Sequence, residues 1–457
     1  MKYSYLLQRS TAYRAALVFS FFLFCIFTSP AQDLQQEVEK VVQEGKTDFM
    51  DIFKTLHQNP ELGFQEKETA QFIAEHLDSY GYTVTTGIGK TGVVGVLKNG
   101  EGPVVMYRTE LDALPVLETT DLPYKSTKTV LEDGGSETPV MHACGHDAHM
   151  TWMLSAAKYF AEHKNRWKGT LLMLGQPAEE PVLGAEAMVN DGLYTKYDIP
   201  EPDYLYGLHS WPLPTGSITA AKGTRMAGTD QLDITFYGVG GHGSSPHLAK
   251  DPVMIAVNAI TLYQQAVSRM SNPRNPVVLT VGALTAGATN NVIPDKAVAK
   301  LNLRWFDVKD REVLVDAIQR INKSVAQMYD LDEQLYPEMK RKGWSYPLVN
   351  NDKMTTVIRS DIKTNIPNVK IFTEDDIPAE MGSEDFHHLV IHNKKKNYFY
   401  AFVGVVDPVQ YEKSMSATGK PPYYNHNGNY QVDPGAIPFG QELAIHGLLS
   451  IFNNNFE

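Results

Sequence analysis

The chain has 457 residues, 43% of them apolar, with 53 acidic against 41 basic residues and a formal net charge of −12. That balance opposes nucleic acid or an anionic membrane as the main partner, because both carry the same sign of charge. The length exceeds one typical domain and the apolar content is that of a globular protein, so two domains are expected.

The N-terminus reads MKYSYLLQRSTAYRAALVFSFFLFCIFTSPA. Lys2, Arg9 and Arg14 flank or precede an apolar core from Ala15 to Phe27, and Ser29-Pro30-Ala31 offers small residues for cleavage before Gln32. This is the pattern of a secretory signal, and the apolar run falls short of the ~20 residues a spanning helix needs. Residues 1–31 are therefore expected to be a signal peptide. The mature protein is expected to be periplasmic or secreted, without a membrane partner. Cleavage removes three basic and no acidic residues, leaving 38 Lys+Arg against 53 Asp+Glu and a formal net of −15. It also removes Cys25, so Cys144 becomes the only cysteine. A lone cysteine in an exported protein is a reactive thiol, an intermolecular bridge, a metal ligand or a small buried hydrophobe.

Residues 33–80 repeat apolar positions at helical spacing, in two segments divided near Glu66. Gly92 to Leu97 and Pro103 to Tyr107 read as strands, Met150 to Glu162 as a helix, and Thr170 to Leu174 and Tyr204 to Leu208 as buried strands. Strands alternating with helices argue an α/β domain with a mostly parallel sheet. From 224 to 333 the rhythm changes. Gln231 to Tyr237 alternates as a strand, and Asp251-Pro252 starts a helix that should run to about Met270. Val277 to Val281 and Ala297 to Trp305 are strands, and Asp310 to Tyr329 is a helix. This is a compact α+β unit inserted in the first domain. Val369 to Phe372, Tyr398 to Val406 and a helix from Pro434 to Phe452 then complete the α/β sheet. The expected division is 32–223 and 334–457 for one domain, with 224–333 between them.

Several chemistry-bearing residues follow predicted strands: Asp112 in RTELDALP, Glu179 and Glu180 in QPAEE, His209 in GLHSWP, and His426 in YYNHNGNY. The carboxyl ends of parallel strands are where open α/β sheets assemble sites. Cys144 and His146, in VMHACGHDAHM, add a thiol and an imidazole one residue apart. Cysteine, histidines and carboxylates form a metal-ligand inventory leaning toward zinc-like ions. Other histidines, His57 among them, read as surface or packed residues. Adjacent glutamates usually form a solvated face, but after a strand and Gln-Pro-Ala they can diverge, one to metal and one to water. A carboxylate bound to metal is a poor base; a free one beside the metals can take a proton from water and return it to a leaving nitrogen.

At this point the sequence resembles a known family. It is similar to the di-metal aminoacylase/carboxypeptidase-type metallopeptidase superfamily, in the branch of N-acyl-amino-acid amidohydrolases that includes hippurate hydrolases and plant auxin-conjugate hydrolases. The resemblance runs through HQNPELGFQE (57–66), RTELDALP (108–115), MHACGHDAH (141–149), GQPAEEPVLGAEAM (175–188), GLHSWP (207–212), GVGGHGSSPH (238–247), NNVIPD (290–295), GSEDF (382–386) and NHN (425–427). It implies a zinc-exopeptidase-like catalytic domain with an inserted ferredoxin-like lid that also dimerises. It implies that Cys144, His146, Glu180, His209 and His426 hold two divalent ions, zinc or manganese first and cobalt or nickel next, with Cys144 bridging. It implies Glu179 as general base, Asp112 as the residue orienting a metal-site group, and Asp147 behind the ligands. His242 matches an oxyanion-stabilising histidine that can come from a partner subunit in a homodimer, and Asn291 and Arg304 match positions that hold the substrate's carboxylate. The expected reaction is hydrolysis of a small N-acyl or N-aroyl amino acid. A dipeptidase or carboxypeptidase on the same scaffold is the alternative, and a non-enzymatic metal- or ligand-binding protein ranks below it, because Glu179 is needed for turnover and not for holding metal. The chain departs from the family at Glu110, where Asp is usual, at Ala148 for Gly and at Gly428 for Pro; these bear on pocket shape.

Overall fold

The computed structural model describes residues 30–131, 135–393, 397–454 and 456. The segment read as a signal, residues 1–31, lies outside them except for Pro30 and Ala31, which open the first helix, Pro30–Gln58. Among the described residues, no helix is long and apolar enough to cross a membrane.

An eight-stranded sheet forms the larger layer, in the order Thr83–Ile88, Gly92–Asn99, Gly169–Gln176, Val104–Glu110, Tyr204–Pro214, Tyr398–Val406, Ser217–Thr219, Lys370–Phe372. Its four central strands run parallel. They are almost wholly buried, as continuous apolar runs in a parallel sheet covered on both faces should be. On one face lie the helices Pro30–Gln58, Lys67–Ser79, His146–Glu162, Asp352–Asn365 and Ala436–Asn453, with a core that includes Phe53, Trp152, Tyr159, Trp167 and Leu448. His146–Glu162 and Ala436–Asn453 approach so closely that a Cβ on Gly440 would fall 2.1 Å from the Trp152 ring. The other face packs Gly184–Asn190 and Phe386–Val390 over Met106, Leu172, Leu174 and Leu205.

The inserted unit is an antiparallel sheet in the order Val277–Ala286, Lys296–Trp305, Gly228–Tyr237, Glu338–Ser345. Two helices cover it, Pro252–Gln265 and Val308–Met328, over Leu232, Ile234, Phe236, Leu301 and Leu303. Asp251 and Asp307 cap these helices, each accepting from the backbone N–H two residues on at 2.9 Å. The βαββαβ order and pairing are ferredoxin-like. The fourth strand, Glu338–Ser345, lies beyond the expected limit of 333. EMKRKGWS lacks apolar alternation because it is an edge strand whose Lys340, Arg341 and Lys342 face solvent.

Two further elements differ from expectation. The helix expected from Met150 begins at His146, so HDAH forms its first turn, with Gly145 as its N-cap and Cys144 just ahead of it. The strand expected to end at Leu208 runs on to Pro214, because Tyr398–Val406 continues to pair with it, Phe402 opposite His209.

Candidate metal centre

Val104–Glu110 and Gly169–Gln176 are parallel neighbours, so the turns that follow them place Asp112 beside Glu179 and Glu180. The second turn is conformationally costly: Ala178 and Val182 have φ of 44° and 58°, values L side chains rarely adopt. It is held by the buried Glu66, which accepts from the Ala178 N–H at 2.8 Å and the Thr91 hydroxyl at 2.6 Å. Both glutamates come within 3.9 Å of His146 Nε2, and only Glu180 also reaches His426, at 3.4 Å. Gly145, at φ 80°, starts the third contributor and lets Cys144 and His146 converge.

Cys144 Sγ sits at the centre, 3.4 Å from His209 Nε2 and 3.3 Å from His426 Nε2. Donor atoms of Cys144, His146 and Glu180 lie within 4.8 Å of one another. His146 Nε2 is 3.9 Å from Glu180 Oε1, and Glu180 Oε2 is 3.4 Å from His426 Nε2. All five residues expected as ligands therefore share one site. Four are largely buried, while the His426 side chain is 56% exposed at the mouth and, with φ 69°, sits in a loop held by the N–H of His426 donating to the Ala143 carbonyl.

Hydrogen bonding presents these side chains to a cation. His146 Nδ1 lies 2.7 Å from the Asp112 carbonyl and His209 Nδ1 2.7 Å from the Ser210 carbonyl, so each carries its proton there and leaves Nε2 free to ligate. His146 Nε2 and Glu180 Oε1 are buried without a hydrogen-bond partner. Each such orphan costs about 1–3 kcal/mol, which a cation would relieve. One thiol, three imidazoles and a carboxylate suit zinc-like ions, so the residues fit a metal centre. The electrostatics agree. Burial, then Glu180, pushes the Cys144 thiol above its ordinary range, and burial lifts the Glu180 carboxyl to about 8. Burial, then Glu384 and Glu180, raises Glu179. Burial thus disfavours the charged forms of these acids, which a divalent cation would stabilise.

The Asp112 carboxylate accepts from the Glu180 N–H at 3.0 Å and lies 3.5 Å from His146 Nδ1. It thereby touches two of the expected ligands, which suits a positioning residue. The site opens into a cavity of about 260 Å³ whose lining includes Glu179, Trp211, Met226, Arg304, Ser383 and Glu384. Arg304, from the inserted unit, donates through Nε to Asn302 Oδ1 at 2.7 Å and through Nη1 to the Ser383 hydroxyl. Three of its five N–H groups are left over at the cavity wall.

His242 and Asn291 are not brought to this cavity. They lie together on an exposed edge of the inserted unit, where Gly241-His242 pairs with Val292-Ile293 and the Gly243 N–H donates to the Asn291 carbonyl at 2.9 Å. The His242 ring instead accepts from the Ser244 N–H at 3.1 Å.

The sequence reading missed the charged floor beneath the cavity. Arg108, fully buried in a central strand, donates to Glu110, to Glu384 at 2.8 Å and to Asp385 at 3.2 Å, and the Tyr400 hydroxyl donates to Glu384 at 2.5 Å. The signal was present: RTE continues an apolar strand with charge, and GSEDF pairs two acids.

His57 also escaped, since it is buried rather than merely packed. It bonds Asp147 at 2.7 Å and Glu118 at 3.3 Å. Burial alone would depress its pKa; the hydrogen bonds to Asp147 and Glu118 outweigh that and raise it to about 9. A raised histidine pKa contributes stability fully below the unfolded value of ~6.5, lost as pH rises through 9. We expect the stability gap between wild type and His57→Gln, measured by urea unfolding of metal-free protein, to shrink by about 3 kcal/mol from pH 6 to pH 9. A gap independent of pH would show that His57 is held neutral.

The sequence profile of the family described as Peptidase family M20/M25/M40 matches residues 106–417. The chain is similar to hippurate hydrolase of Campylobacter jejuni, 38% identical over 373 residues, covering 81% of this chain and 88% of that protein. It is also similar to an N-acyl-L-amino acid amidohydrolase of Geobacillus stearothermophilus, 34% identical over 323 residues, covering 70% and 82%. Among solved structures, the YXEP protein of Bacillus subtilis, a dinuclear metal-binding peptidase, shares the fold with a TM-score of 0.67 at 24% identity, covering 90% of this chain and 100% of that one.

Proposed function

Since the chain belongs to peptidase family M20/M25/M40, we propose that it is a metal-dependent amidohydrolase that cleaves N-acyl or N-aroyl amino acids into a carboxylic acid and an amino acid. The observation that carries this reading is that Glu179 and Arg304 both line the cavity that opens onto Cys144, His209 and His426. A metal-storage or metal-sensing site needs neither of them.

When bound, two divalent ions polarise the amide carbonyl and acidify water. The thiol and imidazoles favour zinc, and the carboxylates admit manganese, cobalt or nickel. Arg304 holds the substrate's carboxylate with its remaining N–H donors and so sets the scissile amide over Glu179. Glu179 takes a proton from water as the oxygen bonds to the carbonyl carbon. It then passes that proton to the amide nitrogen as the C–N bond breaks, so the base ends as it began. His242 and Asn291, exposed together, are the residues a second copy of the chain would bring to this cavity. The N-terminal pattern of residues 1–31 supports export to the periplasm or medium.

A panel of N-acyl amino acids run against free dipeptides tests the proposal. Hippurate-like amides should be hydrolysed at least tenfold faster in kcat/KM; faster cleavage of free dipeptides would make the chain a dipeptidase. Arg304→Ala should raise KM for N-acyl amino acids about 10- to 100-fold, equivalent to the loss of a charge-assisted contact of about 1.5–3 kcal/mol. The same substrates amidated at the carboxylate should lose little. Equal losses on both would remove Arg304 from carboxylate recognition.

A further inference from the structure

Behind the ligands lies one residue through which several of them are tied together. Ser210 is fully buried and follows His209 directly. Its carbonyl accepts from His209 Nδ1 at 2.7 Å and from Asn425 Nδ2, next to His426, at 3.4 Å. Its hydroxyl donates to the Cys144 carbonyl at 2.7 Å and accepts from the Tyr430 hydroxyl at 2.7 Å. Its N–H donates to His149 Nε2 at 2.7 Å. That bond fixes the His149 tautomer, because the accepting Nε2 carries no proton and Nδ1 must donate, at 2.8 Å, to Glu110. Glu110 is anchored in turn by Arg108. The packing leaves no slack: a Cβ on Gly145 would fall 2.4 Å from Ser210 Oγ and 2.6 Å from the Tyr430 oxygen.

We propose that the Ser210 hydroxyl is the centre of a positioning hub: held by Tyr430 and tied to the Cys144 carbonyl, it fixes the Cys144 loop against the His209 strand and thereby sets the metal affinity of the site. Donor atoms of His149 also lie close to Glu110, His146 and His209 in a group able to hold an ion. Both His149 nitrogens are already hydrogen-bonded, so its part is orientation and not ligation. Glu110 acquires a use here as well, because its two oxygens reach Arg108 and His149 separately. Outer partners of ligating histidines usually govern metal affinity by 10- to 100-fold.

The inference rests on the metal-centre reading, and the test separates the two. Zinc affinity of wild type, Ser210→Ala and Tyr430→Phe is measured by competition with a chromophoric chelator. The visible spectra of the cobalt-reloaded proteins and the thermal midpoints of the metal-free proteins are recorded alongside. Ser210→Ala should bind zinc about 10- to 100-fold more weakly, with a changed cobalt spectrum. Tyr430→Phe, which removes only the bond into the hub, should lose less affinity while keeping the metal-free midpoint of wild type. Variants that bind zinc as tightly as wild type, with its cobalt spectrum, overturn the hub. A wild-type chain that takes up no zinc or cobalt overturns the metal centre itself.

Discussion

Glu179→Gln is expected to keep its metal content and lose about 10²- to 10⁴-fold in kcat, the range general-base catalysis supplies. The amide keeps the size and much of the hydrogen bonding of the carboxylate but cannot accept a proton from water. Glu179 is 3.9 Å from His146 Nε2, beside the ligand set without being needed to complete it. Substrate KM should change little, because carboxylate binding falls to Arg304. The check is steady-state kinetics together with elemental analysis of the same preparation. Retained turnover with full metal would place the base elsewhere.

Cys144→Ala should have the second largest effect, through the metal rather than through the proton. Its sulfur approaches both His209 and His426 within 3.4 Å, so removing it withdraws the donor common to two ligands. Bound metal should fall from two ions to at most one, and activity should drop by more than about 10²-fold. Because burial and Glu180 raise the thiol, metal must expel its proton, and affinity should strengthen as pH rises from 6 to 8. Activity and metal content unchanged in Cys144→Ala would contradict a bridging thiolate. So would an affinity indifferent to pH.

How far the sequence announced these features follows from how local each one is. Most of the residues expected as ligands and base stood in short motifs after predicted strands, where chemistry-bearing residues interrupt apolar runs, with Cys144 and His146 ahead of a predicted helix, and the structure brings the five expected ligands together. Asp251-Pro252 announced one helix of the inserted unit; the other, expected from Asp310, begins at Val308 behind the Asp307 cap. Glu338–Ser345 could not be read in place, since a solvated edge strand has no apolar face to write into its sequence. Arg108 was hidden for the opposite reason: it occupies a central strand, and Glu110 beside it together with Glu384 and Asp385, 276 and 277 residues away, makes its burial tolerable. His57 read as bland because its two carboxylates lie far along the chain, Glu118 in a loop and Asp147 in the first turn of a helix. Ser210 escaped because the partners of its hydroxyl, the Cys144 carbonyl and Tyr430, lie 66 and 220 residues away. His242 and Asn291 were expected in separate roles; they lie together on an exposed edge of the inserted unit and do not line the cavity.

The most direct test is hydrolysis of an N-acyl amino acid such as hippurate by protein stripped of metal and then titrated with zinc, manganese, cobalt or nickel. The account predicts no turnover in the stripped protein, recovery that saturates near two equivalents of at least one of these ions, and no recovery in Glu179→Gln. Turnover by stripped wild-type protein in excess chelator would contradict it.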